Sequence, residues 1–433
     1  MRKSRRAVAV LAPEPIRPRM AGMGIRALEL ARAIGKELDA RLLVPNDPSE
    51  AAEVAPDVDV VHAPSTGDLA AAASGAAAAV VSGHAANLWF HQVPDVPVAV
   101  DLYDPFPVEN LHYAATLGDE TAQHDLATLR LALARADFFL CASAEQRLFY
   151  AGALLAAGRI GPANFPDDRG LSELLAVVPY GVPSRPARGD RDSGRKAAGL
   201  PGTGPVVLFG GIYDWNDPSL LLDAWPLVLS GEREARLLFL DSPNPETTPQ
   251  RVHAETRARA SEIDPTGRSI VFSRWVPYSA RPDLYAAADL IVSISSDGLE
   301  TDLAYRTRLL DAAWGGLPSV SVAGGALARE LADAGAGWRV ERSADLLARA
   351  ILAALAPDRR ETASRSARGF AAERTWERVA GPVVSWCGDA RVDANRLPYP
   401  AATEPRLWER LTRRVHELWR VQARATYPRG VSR

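Results

Sequence analysis

VVLFGGIYDWNDPSLLLDAW, from Val206 to Trp225, reads as a strand, a turn and the start of a helix in one short run. Val206–Gly210 is apolar and rich in β-branched residues, as a strand buried on both faces must be. Gly210 and Gly211 then let the backbone approach a ligand closely. Asp217 before Pro218 has the form of a helix start, with Asp217 as cap and proline at the first helical position. The functional reading is a loop lying under a diphosphate; the structural one is a capped strand–helix turn.

The same alternation extends in both directions. Upstream, the short apolar runs are Ala7–Ala12, Leu42–Pro45, Val58–His62, Ala79–Ser82, Val96–Asp101, Phe138–Ala142 and Ala176–Pro179, with amphipathic stretches such as Gly24–Glu37 and Glu120–Ala136 between them. Downstream they are Arg236–Leu240, Ser269–Ser273, Leu290–Ile294, Pro318–Val322 and Gly337–Val340, with helices expected over Pro218–Leu229 and Thr301–Trp314. Strand–helix alternation of this kind implies βαβ units and parallel sheets. The polar, Gly/Pro/Arg-rich stretch Pro183–Pro205 divides the two series. The expected organisation is therefore a first lobe over 1–183, a linker over 184–204, a second lobe over 205–375, and a crossover with a C-terminal helix over 376–433. In parallel sheets, ligands sit beyond the C-terminal strand ends, near helix N-termini, so two such lobes facing each other across a cleft would place the chemistry there.

The chain has 433 residues, 47% of them hydrophobic and 24% charged, with a net charge of −3. Nothing in that balance marks a nucleic-acid binder. Cys141 and Cys387 form neither a disulfide framework nor a metal cluster and read as buried thiols of a reducing, cytoplasmic compartment. The N-terminal apolar run is shorter than the ~7–15 residues of a signal peptide, and Pro13 ends it. No run reaches the ~18 apolar residues of a membrane span. Lysine occurs only at positions 3, 36 and 196, so any phosphate clamp must be built mainly from arginine and backbone N–H groups.

Four further segments carry candidate chemistry. Ala21–Gly24 (AGMG) follows the first strand and opens a helix, whose dipole favours an anion; its long preceding loop suits a mobile lid. His84, after the strand at Ala79–Ser82, offers an imidazole to a sugar hydroxyl. Asp101 and Asp104 follow another strand and offer carboxylates to acceptor hydroxyls or to a cationic transition state, although Asp-Pro is also a common turn starter. Ser295–Val320 is the richest segment: Glu300 and Asp311 can accept hydrogen bonds from sugar or ribose hydroxyls, and Arg306 and Arg308 match phosphate oxygens. The Asp57–Asp59 and Asp190–Asp192 triplets read as solvated loops, so no metal is expected. Pro400–Arg433 alternates apolar and arginine residues as an amphipathic basic helix. Such a helix either lies on anionic lipid, giving peripheral attachment at the inner membrane face, or packs back onto the lobes.

The order of these motifs resembles the retaining GT-B glycosyltransferases of family 4, from about residue 5 to 380. ADFFLCASAEQRLFYA (136–151), AVVPYGVP (176–183), the Val206–Trp225 run, VPYSARPDLYAAADLIVSISSDG (276–298) and LLDAAWGGLPSV (309–320) are similar to successive motifs of that family. The resemblance implies a GT-B fold of two Rossmann-like lobes. It also implies transfer of a sugar from a nucleoside diphosphate sugar to an acceptor hydroxyl with retention of configuration, as in polysaccharide, glycolipid or natural-product glycosylation. The nucleotide sugar is a substrate, and no cofactor is implied. By position, Asp311 takes the ribose-gripping glutamate's place, Tyr305–Arg308 with Thr307 the backbone under the diphosphate, Gly211 the donor loop and Gly24 the first-lobe glycine loop. His84 or Asp104 stands where the family has a histidine. The family's other glutamate falls on Leu303, with Glu300 one turn away; its diphosphate lysine has no counterpart in the donor loop, which leaves Arg306 or Arg308 to replace it. Two alternatives stay open: a sugar-nucleotide epimerase on the same fold, and a catalytically degenerate subunit that binds donor or partner only.

Overall fold

The computed structural model describes residues 7–93, 95–241 and 248–398, and within them the chain forms two compact units. The first holds the chain up to Asn110, Leu117–Pro179 and the chain from Val379 onward; the second holds Leu111–Thr116 and Tyr180–Arg378. The basic helix expected over Pro400–Arg433 lies outside the described residues.

In the first unit the strands are β1 (Ala7–Leu11), β2 (Asp39–Val44), β3 (Asp59–His62), β4 (Ala78–Ser82), β5 (Val98–Asp101), β6 (Phe138–Cys141) and β7 (Leu175–Val177). They pair in the order β3-β2-β1-β4-β5-β6-β7, all parallel. The second unit has β8 (Val206–Gly211), β9 (Arg236–Leu240), β10 (Ile270–Ser273), β11 (Leu290–Ile294), β12 (Ser319–Val322) and β13 (Gly337–Val340), ordered β10-β9-β8-β11-β12-β13 and again parallel. Each expected apolar run is a strand. Each order reverses once, between β1 and β4 in the first sheet and between β8 and β11 in the second; in such sheets the flanking connections at those points run to opposite faces. Trp89, Phe90, Phe139 and Tyr150 anchor the first core; Phe209, Trp225 and Phe239 anchor the second.

Two stretches differ from the sequence reading. Within the stretch read as a linker, Asp190 caps a helix, Arg191–Ala197, by accepting from the Ser193 N–H at 2.7 Å. That helix packs on the helix Arg281–Ala287, and a Cβ at Gly194 would stand 2.0 Å from the Asp283 carbonyl oxygen. Backbone lies against backbone there, so the stretch belongs to the second unit. The helix expected over Thr301–Trp314 is two helices, Leu299–Leu303 and Thr307–Trp314, with extended backbone between them.

One buried arginine ties the first unit together. Arg26, on the helix Gly22–Glu37, donates from Nε to Asp101 at the end of β5 at 2.5 Å and from a terminal nitrogen to the other carboxylate oxygen at 3.0 Å. It also donates to the carbonyls of Val178 and Pro179 just past β7 at 2.8 and 3.0 Å, and it lies over the Tyr103 ring. Asp101 is therefore a structural partner, not a group presented to a ligand. Among the described residues no helix is long and apolar enough to cross a membrane.

Arg26→Met leaves a buried carboxylate without its charged partner and takes a donor from two carbonyls. It is expected to lower stability by about 3–5 kcal/mol, the scale of breaking one side of a buried ion pair. Urea denaturation measures this; Arg26→Met combined with Asp101→Leu should recover part of the loss, whereas an unchanged midpoint in the single variant would contradict the assignment.

Candidate functional site

The loops at the second sheet's reversal are fastened to each other. The loop after β8 and the loop after β11 are joined by an isolated bridge between Asn216 and Ser295, by Ser296 N–H donating to the Trp215 carbonyl at 3.0 Å and by Asp217 N–H donating to the Ile294 carbonyl at 3.1 Å. Asp217 precedes the helix Pro218–Gly231 as expected, but its side chain makes no capping bond. Its carboxylate instead accepts from Ser219 and from Arg342, whose guanidinium also reaches the Ser295 carbonyl and Asp297. Arg342 lies beyond β13 and had no signature in the sequence.

Side chains at Gly210 and Gly211 would crowd their neighbours. A Cβ on Gly210 would stand 3.0 Å from Arg308 Cδ, and one on Gly211 would stand 3.1 Å from the Trp275 ring. Arg308, in the first turn of the helix Thr307–Trp314, donates to the Gly211 carbonyl at 2.7 Å and lies over the Tyr213 ring, which stacks on Trp215. A half-buried guanidinium thus covers the glycine loop that itself lacks a cation.

Arg306 is placed differently from what the sequence suggested. It ends the extended link before Thr307, is 5% exposed, and donates to Glu300 Oε2 at 2.6 Å; Glu300 is 3% exposed. The pair neutralises itself, because a buried charge must be matched nearby. Glu300 Oε1, Arg306 Nε and Ser295 Oγ are buried without hydrogen-bond partners. Orphan buried polar atoms of this kind mark a place that water or a ligand satisfies. Asp311 is buried and ion-paired with Arg281. Burial works against the charge on Arg281, but Asp311 outweighs it, with further help from Tyr278 and Tyr180, and holds the guanidinium charged more firmly than usual. Arg281 also lies between the rings of Tyr278 and Trp314. Glu300, Arg306, Thr307, Arg308 and Asp311 thus stand on two successive short helices beside the reversal, with Gly211 on the facing loop.

In the first unit the glycine loop has an occupant of its own. Gly24 N–H donates to Glu14 Oε1 at 2.6 Å, so a carboxylate of the chain already sits in the first turn of the helix Gly22–Glu37. The preceding loop is pinned: Asn46 donates to the Ile16 carbonyl and accepts from its N–H, and Ile16 is fully buried. This corrects the mobile-lid expectation, which rested on loop length. Asp104 is half-buried at the end of the turn after β5. Burial pushes the Tyr150 hydroxyl well above its ordinary range, and the negative charge of Asp104 adds to that.

His84 follows Gly83, whose left-handed φ of 51° turns the chain sharply out of β4. Its Nε2 lies 2.9 Å from Asp125 Oδ1, and its Nδ1 lies 3.1 Å from His124 Nε2 and 3.2 Å from Thr128 Oγ1. His124, Asp125 and Thr128 share the helix Asp119–Arg135 and went unremarked in the sequence. The available signal was three polar residues on the buried face of an amphipathic helix. Among the described residues no group of three or more His, Cys, Asp or Glu is placed to hold a metal ion; Asp57 of the first acidic triplet pairs with Arg32.

Residues 204–357 match the family model of Glycosyl transferases group 1. Curated protein sequences give no match. Among solved structures, the chain is similar to Anabaena Alr3699/HepE in complex with UDP and glucose (17% identity, TM-score 0.64, 88% of this chain and 98% of that one). It is also similar to sucrose-phosphate synthase from Thermosynechococcus elongatus (15%, 0.61, 87% and 96%). A third is WaaG, a glycosyltransferase involved in lipopolysaccharide biosynthesis (15%, 0.56, 88% and 98%). The fold is thus that of the GT-B glycosyltransferases, two parallel-sheet Rossmann-like domains.

Because Arg306 and Glu300 neutralise each other in the interior, Arg306→Ala should destabilise the protein by about 3–5 kcal/mol. Glu300→Gln in the same background should restore much of it. Melting curves of the single and double variants decide the point: equal losses in both would show that the charge pair is not the cause.

Proposed function

We propose that this chain transfers a sugar from a nucleoside diphosphate sugar to an acceptor hydroxyl with retention of configuration. The observation that carries the reading is the Gly210–Gly211 loop at the second sheet's reversal, bare of side chains and covered by the guanidinium of Arg308. A diphosphate laid on that backbone meets the N–H groups opening the helix Thr307–Trp314 and the Arg308 guanidinium, which donates to the Gly211 carbonyl and lies over the Tyr213 ring. The group 1 family match spans this region, and a structural neighbour holds UDP and glucose.

The bond from the anomeric carbon to the phosphate oxygen breaks, its electron pair leaves with the diphosphate, and the acceptor oxygen bonds to the same carbon. Charge then grows on the departing phosphate and on an oxocarbenium-like sugar. Arg308 and the backbone N–H groups near Gly211 and Thr307 stabilise the former. This moves the role that the sequence offered to Arg306 onto Arg308, since Arg306 is committed to Glu300. Glu300 Oε1, a buried acceptor without a partner, receives a hydroxyl of the donor sugar. Asp311, held by Arg281, receives a ribose hydroxyl. On the first unit, His84 and Asp104 serve the sugar and the acceptor, and Gly24 serves an anion only when Glu14 yields its place. The reading assigns neutralisation of the leaving group to arginine and backbone, with no metal or cofactor.

A thermal-shift series with UDP, GDP, ADP and dTDP tests donor binding. A ligand at about 100 times its Kd should stabilise the fold by ~2.7 kcal/mol. Arg308→Ala should remove that shift for the nucleotide that binds and cut kcat/KM by about 10², the scale of losing one positioned donor to developing charge. Full retention of both in Arg308→Ala would overturn the assignment.

A further inference from the structure

His84, Asp125, His124 and Thr128 form a polar network in the first unit, at the C-terminal end of β4, where an apolar core would pack without cost. Asp125 is 1% exposed on its side chain, and His84 is 35% exposed. A reachable imidazole is therefore backed by a carboxylate that no solvent touches. Asp125 Oδ2 accepts from Asn110 Nδ2 at 2.7 Å, and its Oδ1, which has no hydrogen-bond partner, lies in ion-pair contact 2.9 Å from His84 Nε2, where a bare ring nitrogen would set lone pair against lone pair. An aspartate placed so fixes both the tautomer and the orientation of a histidine.

The remaining protons follow from the chemistry of the donors. Asn87 Nδ2 donates to Thr128 Oγ1 at 2.7 Å, so the Thr128 hydroxyl hydrogen is left to point at His84 Nδ1, 3.2 Å away. His124 Nε2 competes for the same nitrogen at 3.1 Å and meets the His84 ring edge-on. Phe106 packs against the ring at 5.0 Å. The Nε2 side thus has one short, buried, charged partner, and the Nδ1 side has two longer, neutral ones that compete.

We infer that Asp125 is a positioning residue: it holds His84 as the Nε2–H tautomer and leaves Nδ1 as an acceptor whose place can pass from Thr128 or His124 to a hydroxyl of a bound sugar. The hydroxyl rests on the sugar-transfer reading; the tautomer rests on the geometry alone. Two imidazoles 3.1 Å apart share one hydrogen, so a His124 Nε2–H directed at His84 meets a bare Nδ1, while Asp125 prevents the ring from turning over.

Two measurements on the full-length chain separate these parts. With ¹⁵N-labelled histidine, the wild-type NMR spectrum should show His84 protonated at Nε2 and bare at Nδ1 at neutral pH, and Asp125→Asn should redistribute it between tautomers. A wild-type spectrum with the proton on Nδ1 overturns the inference and needs no variant to fold. In kinetics with the nucleotide sugar selected by thermal shift, Asp125→Asn and His84→Gln should each lower kcat/KM by about 10². The double variant should be no worse than the more impaired single one, and Asp125→Glu should recover part of the loss. Additive losses in the double variant overturn it. Should no nucleotide sugar be turned over, the transfer reading falls, and the tautomer spectrum alone then upholds or overturns the role of Asp125.

Discussion

Both sheets are parallel and covered on both faces, and that constraint governs where any chemistry can stand. A strand buried on each side admits almost nothing but apolar residues along its length; polar groups appear where the strand stops. In the second unit Ser295, Glu300 and Arg306 gather just beyond β11, and Gly210–Gly211 end β8 beside them. In the first, Asp101 closes β5 and His84 follows β4. The reversal of strand order then brings side by side, once per sheet, two loops whose connections run to opposite faces. The described candidate groups are concentrated there because burial leaves few other sites for polar side chains.

The scarcity of lysine shapes how these places are built. A guanidinium is always charged and makes several directed bonds at once, so it can be buried where an ammonium would lose too much hydration. Arg26, Arg306 and Arg281 are all buried, and each is matched to a carboxylate: Asp101, Glu300 and Asp311. These pairs stiffen the site, but a matched arginine has little charge left for a ligand. Arg308 differs in its place: it stands over the glycine loop, donating to the Gly211 carbonyl and lying over the Tyr213 ring.

Much of the fold was legible because its signal is local. Apolar runs such as Phe138–Cys141 and Leu290–Ile294 have no alternative to being strands, and their alternation with amphipathic stretches implies parallel sheets. What was not legible depended on partners distant in sequence. Arg26 looks like any helical arginine until Asp101 and the carbonyls past β7 converge on it. The break at Ala304–Arg306 has no proline or glycine to announce it; it accompanies the turn of Arg306 back onto Glu300. Glu14 in the first turn after Gly24, and Asn46 on Ile16, pin a loop whose length alone suggested freedom. Asp125 was hidden in an amphipathic helix because only its neighbours reveal that the buried face carries a carboxylate.

These same contacts decide which of two adjacent arginines can meet a phosphate. The sequence reading offers the leaving-group role to Arg306 and donor binding to Arg308, and both fit an anion chemically. To bind a phosphate, Arg306 would have to release Glu300 and leave a carboxylate charged in the interior, a cost of several kcal/mol. The bond from Arg308 to the Gly211 carbonyl, exchanged for one to a charged oxygen, becomes stronger. The groups over Gly210 and Gly211 are the side chains of Arg308, Tyr213 and Trp275, so an anion arriving there displaces side chains and not backbone. Electrostatics therefore selects Arg308, and the glycines and the arginine act as one device contributed by two segments nearly a hundred residues apart.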